Sequence, residues 1–182
     1  MMARLRNRLR RAFRREDGSA SIEFVILFPL FVTVLISSVE SGMILTRQVM
    51  LERALDISVR DLRLGRVVPS GDLLSREDIR DLICGNSPMI ADCQNTLLIE
   101  LRQLDTTTWT GIDGDMTCVE RGANVLPATT FNPGVENNLM LVRGCALVNP
   151  IFPTSGFALN LPRNVNGDFA LLAQTIFVNE PR

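Results

Sequence analysis

Four cysteines carry the most evident chemistry in this chain of 182 residues: Cys84, Cys93, Cys118 and Cys145. Only the first two lie close together, as C-x8-C, so the chain lacks the paired C-x2-C knuckles of zinc sites. The spacing therefore favours two disulfides over a metal site or free thiols. Of the possible connectivities we favour Cys84 with Cys93 and Cys118 with Cys145. The first bridge would join a short helix to the strand after it, and the second would join a loop to a later strand.

The residue types that are missing exclude most enzyme chemistry. The sequence has no His, which excludes Ser-His-Asp and Cys-His catalysis and any pH switch built on imidazole. It has no Lys, which excludes Schiff-base chemistry and the Walker lysine, and it has no glycine-rich phosphate loop. We therefore expect a protein that is not an enzyme and that holds no cofactor and no metal.

One carboxylate has an unusual position. Glu23 directly precedes an apolar run, FVILFPLFVTVLI, which covers Phe24 to Ile36 and has Thr33 as its only polar side chain. An acid at the entrance of such a run is costly in a membrane unless it finds a partner. Glu23 is also the fifth residue after Gly18, with small residues between them. We expect Glu23 to be functional.

The apolar run predicts a single membrane span. Ile22 to Val39 would form a helix about 27 Å long, close to the roughly 30 Å of a bilayer core. Residues 1–18 carry seven Arg against two acids, whereas the rest carries twelve Arg against eighteen acids. The positive-inside rule then places the N-terminus in the cytoplasm and the remainder outside. This topology explains the Arg cluster better than nucleic-acid binding does, so we expect a lipid bilayer and no nucleic acid as partner.

The helix should continue past the membrane. Its apolar residues recur at helical spacing on one face, as Ile44, Leu51, Leu55, Val59 and Leu62. We predict one helix from Ser19 to Leu64, stopped at Gly65, with its outer half packed against the rest of the chain.

The remaining residues predict a small α+β domain. Ser75 and Asp78 form a capping box that opens a short helix. Apolar runs or alternation predict strands at Thr96–Asp105, Leu139–Val148 and Phe169–Val178. The expected organisation is thus a basic leader (1–18), a long N-terminal helix (19–65) and an antiparallel sheet domain (66–182) packed on that helix.

The order of basic leader, Gly18, small residues, acid and apolar run resembles the type IV prepilins, in which a prepilin peptidase cuts after the Gly on the cytoplasmic side. The resemblance implies that Gly18 ends the leader and that Ser19 becomes the new N-terminus. It also implies that Glu23 is an assembly-pairing acid, which would neutralise the new α-amino group of a neighbouring subunit.

The chain further resembles the TadE-like family (TadE/TadF), on Glu16–Val32, EDGSASIEFVILFPLFV, and on a tail ending FVNEP. The resemblance implies a non-catalytic minor pseudopilin, anchored in the bacterial inner membrane with its C-terminal domain periplasmic, and needed for assembly of a Tad-type (type IVb, Flp) pilus. The implied partners are the prepilin peptidase, other Tad pilins and pseudopilins, and the inner-membrane assembly platform.

Three alternatives stay open. In the first, the helix is a simple signal anchor, and Glu23 lies among the lipid headgroups and has no function there. The second is a minor pseudopilin of a type II secretion system, which shares the logic of the cut site. The third is a signal-anchored periplasmic enzyme.

Overall fold

A computed structural model describes residues 19–64, 74–109, 112, 116, 118–119, 129–164 and 166–180. The predicted leader, including Gly18, lies outside the described residues. The helices are α1 (Ser19–Arg63), α2 (Arg76–Gly85), α3 (Cys93–Thr96) and α4 (Gly156–Leu159). The strands are β1 (Leu97–Gln103), β2 (Leu139–Val148) and β3 (Phe169–Val178). The predicted α+β class is confirmed: a long apolar helix packs on a three-stranded antiparallel sheet.

The long helix α1 has two halves with different surroundings. From Ala20 to Phe31 every residue is exposed, and Pro29 does not interrupt the helix, as is tolerated in membrane helices. In the second half all five residues of the predicted apolar stripe are buried: Ile44, Leu51, Leu55, Val59 and Leu62. The helix ends at Arg63, one residue before the predicted end, with Arg60 and Arg63 in its last turn, where cations suit the negative end of the helix dipole.

The short helix α2 begins with the predicted capping box. The Ser75 hydroxyl accepts a hydrogen bond from the Asp78 backbone N–H at 3.2 Å, and the Ser75 backbone N–H donates to the Asp78 carboxylate at 2.9 Å. The Ser75 hydroxyl also donates to the Asp78 carboxylate at 2.6 Å, and this bond, followed by the one from the Ser75 backbone, lowers the pKa of Asp78. Ile79 and Ile83 on the other face of α2 are fully buried, which packs α2 into the core beside α1.

The sheet has the strand order β1-β2-β3. The bounds of β2 and β3 match the predicted strands, whereas β1 is shorter because Thr96 belongs to the single helical turn of α3 and a turn begins at Asp105. In that turn the side chain of Thr107, then its backbone N–H, donate to the Asp105 carboxylate, and these bonds lower the pKa of Asp105 to about 2.

One face of the sheet packs on α1. Alternate residues of each strand point to this face, and together with the helix stripe they form the core. The strand residues of this core are Leu97, Ile99, Leu101, Met140, Val142, Ala146, Val148, Phe169, Leu171, Ala173 and Phe177.

The opposite face is covered over β1 and β2 but open over β3. Arg143 and Cys145 of β2 are buried there. Cys145 is bonded to Cys118, and the Arg143 guanidinium donates to the Ile112 carbonyl, so Cys118 and Ile112 lie over this face. Glu100, opposite Arg143 in the register, brings its carboxylate within 3.8 Å of the Arg143 guanidinium. Leu172 and Ile176 of β3, by contrast, are exposed.

Candidate functional site

The exposed half of α1 is a candidate single-pass membrane anchor. It is long and apolar enough to cross a bilayer, and its most apolar part is not covered by any other part of the described chain. The whole helix of 45 residues is about 68 Å long. Large apolar side chains such as Phe24, Leu30 and Phe31 are more than half exposed, which is costly in water and favourable in lipid.

The predicted processing and pairing residues lie at the N-terminal end of this helix. Ser19 is its first residue, and Gly18 lies outside the described part of the chain. Glu23 is exposed in the second turn and makes no ion pair with another described residue. Its carboxylate is therefore accessible to a group from outside the described chain.

The four cysteines form two disulfides that join neighbouring elements. Cys84 at the end of α2 is bonded to Cys93, the first residue of α3, with their Cα atoms 5.6 Å apart. Cys118 is bonded to Cys145 in the middle of β2, with a Cα separation of 5.5 Å. This is the pairing that the spacing favoured, except that the first bridge joins α2 to a helical turn rather than to the strand itself.

Glu40 is a key residue that sequence reasoning missed. It is fully buried on α1, directly after the predicted span. Its two carboxylate oxygens accept hydrogen bonds from the backbone N–H groups of Ile151 at 3.0 Å and Phe152 at 2.7 Å. A signal was present: Glu40 precedes Ile44 by one helical turn, so it lies on the packed face, and an acid on a packed face needs partners.

Further polar contacts fasten the packed half of α1 along its length. The Arg47 guanidinium donates to the Asn149 carbonyl at 2.8 Å, and the Gln48 amide donates to the Leu172 carbonyl at 2.8 Å. At the far end Arg63 pairs with Glu180 at 2.6 Å. The helix and the sheet thus form one packed unit from Glu40 to Arg63, and the apolar half of α1 projects from it.

The first half of α1 is apolar and exposed, and the second half packs on the three-stranded sheet. The molecule therefore belongs to the class of proteins with a candidate N-terminal membrane anchor and a small α+β domain. Residues 18–60 match the family model of the TadE-like protein. The match confirms the resemblance over that segment and indicates a membrane protein associated with a Tad pilus. Most of the sheet domain lies outside the matched residues. Comparisons with curated proteins and with solved structures found no match.

Proposed function

We propose that this chain is a membrane-anchored minor pseudopilin needed for assembly of a Tad-type (type IVb, Flp) pilus, and that a prepilin peptidase cuts it after Gly18. One observation carries the proposal: the TadE-like match begins at residue 18 and runs along a helix whose apolar half is exposed. The peptidase would remove the basic leader in the cytoplasm and leave α1 attached as the anchor.

The proposed location is the bacterial inner membrane, with the N-terminus cytoplasmic and the sheet domain periplasmic. The seven Arg of residues 1–18 support this orientation through the positive-inside rule. The two disulfides support it as well, because disulfides persist in oxidising compartments such as the periplasm.

Within the membrane, the bare face of α1 would pack against the helices of other Tad pilins and pseudopilins and against the assembly platform. Glu23 would pair with the free α-amino group of a processed neighbour. Each of these charges is costly in apolar surroundings when alone, and pairing them offsets much of that cost in a docked subunit. Glu23 thus acts in assembly and takes part in no bond-making step, which fits a role other than catalysis.

The type II secretion alternative shares the cut-site logic and the apolar helix. The family match favours the Tad pilus over it, because the matched family is the TadE-like one. The same match favours an assembly component over a signal-anchored enzyme.

The test of this function is the substitution Glu23→Ala in a host whose own copy of the gene is deleted. We expect surface pili to fall by at least about tenfold, since the loss of only about 1.4 kcal/mol of pairing energy is a factor of ten. Pili are counted by electron microscopy and by shearing. The Glu52→Ala variant is the control, because Glu52 is exposed on the same helix and its hydrogen bond is to Gln48 one turn away.

Both variants should accumulate in the membrane to the wild-type level, with the sheet domain folded. Normal piliation in the Glu23→Ala strain would contradict the pairing role and favour the plain signal anchor.

A further inference from the structure

The segment after β2 differs in composition from the rest of the chain. Residues 149–167 contain one charged residue, Arg163, and no acid, whereas the chain from Ser19 onward carries eighteen acids. The segment is also apolar, with Ile151, Phe152 and Leu159 among its members. We refer to residues 149–155, which contain the backbone groups that hydrogen-bond to α1, as the basal loop.

The hydrogen bonds of the basal loop fix its height along the helix. Glu40 binds the backbone N–H groups of Ile151 and Phe152, so these residues lie beside α1 one position beyond Val39, where the predicted span ends. Asn149 is held by Arg47, seven residues or about 10 Å further along the helix. From Asn149 to Phe152 the chain therefore descends along α1 toward the predicted span.

Three apolar side chains of this segment face outward, whereas Phe157 and Leu161 pack against the core. Ile151 is 43% exposed, Phe152 38% and Leu159 59%. The bonds to Glu40 use the backbone of Ile151 and Phe152 and leave their side chains free. Apolar and aromatic side chains at the edge of a span are in the position where membrane proteins bury such groups about 5 to 10 Å into the boundary between headgroups and acyl chains.

The charges at this level also suit a phospholipid surface. Arg47 lies on the side of the basal loop that is farther from the predicted span. The Arg163 guanidinium donates to the Pro153 carbonyl at 3.4 Å. The acids that border the segment, Glu40 and Asp168, are both buried. A membrane surface carrying anionic lipids would thus meet cations and apolar groups here, and no exposed acid from residues 149–167.

We propose that the basal loop is a second membrane contact, with Ile151 and Phe152 inserted into the lipid leaflet on the side of the sheet domain. The inference rests on the proposed function only in that α1 must span the bilayer. The span and the basal loop would then both contact the membrane. These two contacts would fix the orientation of the packed helix and sheet relative to the bilayer. The exposed face of β3 would then be held away from the lipid and available to other pilus components.

The experiment is fluorescence quenching of single tryptophans by brominated lipid. The chain has one Trp, Trp109, which is replaced by Phe. Single tryptophans are then introduced into this background one at a time. The test variants are Ile151→Trp and Phe152→Trp, and Phe31→Trp reports on the span. Val135→Trp is the distal control, because Val135 is 68% exposed and its carbonyl contacts Asn179 at the far end of β3. The full chain is reconstituted in phosphatidylcholine and phosphatidylglycerol vesicles of two kinds: bromine on the upper part of the acyl chains reads positions 151, 152 and 135, and bromine near the chain ends reads position 31.

We expect emission at positions 151, 152 and 31 to fall by about half or more, and emission at position 135 by less than about a tenth, as burial at the acyl boundary requires. Quenching at position 31 without quenching at 151 and 152 would overturn the second contact and leave the anchor intact. A blue-shifted but unquenched signal at 151 and 152 would show that protein, such as a second copy, covers the loop, and it too would overturn the proposal. No quenching at position 31 would mean that α1 does not enter the bilayer, and both proposals would fail.

Discussion

Replacing Glu40 with Leu is expected to lower the free energy of unfolding by about 2 to 5 kcal/mol, because the backbone N–H groups of Ile151 and Phe152 lose their charged acceptor. Glu40 is fully buried, so water cannot readily take its place. Glu40→Gln should cost less, about 1 to 3 kcal/mol, because one amide oxygen still accepts while the amide NH2 opposes the other N–H. The measurement is denaturant unfolding of the full chain in detergent micelles.

The loss of stability should be larger around the basal loop than in the middle of the sheet. Hydrogen exchange at the amides of Ile151 and Phe152 should become faster in both Glu40 variants, whereas exchange in the middle of β2 should change less. Glu52→Gln, at an exposed position of the same helix, is the control and should change stability by less than about 0.5 kcal/mol. Wild-type stability and exchange in Glu40→Leu would contradict the role of Glu40 in fastening the helix to the basal loop.

Removing the disulfide Cys118–Cys145 is expected to destabilise the chain more than removing Cys84–Cys93. The Cys118–Cys145 bridge has a sequence separation of 27 and the Cys84–Cys93 bridge one of 9, and loop-closure entropy then gives losses of about 3.6 and 2.6 kcal/mol. The difference between the two losses should be larger than this calculation gives, because the bridge also holds Cys118 against the outer face of the sheet, where Cys145 and Arg143 are buried.

The two bridges are compared as double Ala variants, Cys118→Ala with Cys145→Ala and Cys84→Ala with Cys93→Ala, by unfolding under identical conditions. Mass spectrometry without reduction verifies that the remaining bridge is formed. A larger loss from the Cys84–Cys93 pair would contradict the argument from loop length and cover.

The sequence alone was enough to predict the elements whose signals are local. The stripe from Ile44 to Leu62 showed a helical period, and the capping box at Ser75 lay directly before its helix. The apolar runs of β2 and β3 were bounded by Asn and Pro. In each case successive residues of the pattern lie within one or two helical turns of each other, or along one strand.

What the sequence did not predict depends on contacts between distant residues. The partners of Glu40 lie 111 and 112 residues away, and they are backbone groups, which no side-chain pattern reveals. The register that sets Glu100 opposite Arg143 is also non-local. The strand β1 starts one residue later than predicted because Thr96 closes the helical turn of α3, with its backbone N–H donating to the Asp92 carbonyl.

The most direct test of the central claim is the N-terminus of the protein extracted from membranes of cells with and without the prepilin peptidase. Intact mass and N-terminal sequencing are read on the same samples. A processed pilin-like anchor predicts a chain that starts at Ser19 when the peptidase is present and keeps its leader when the peptidase is absent. A chain that starts at Met1 in both would contradict it.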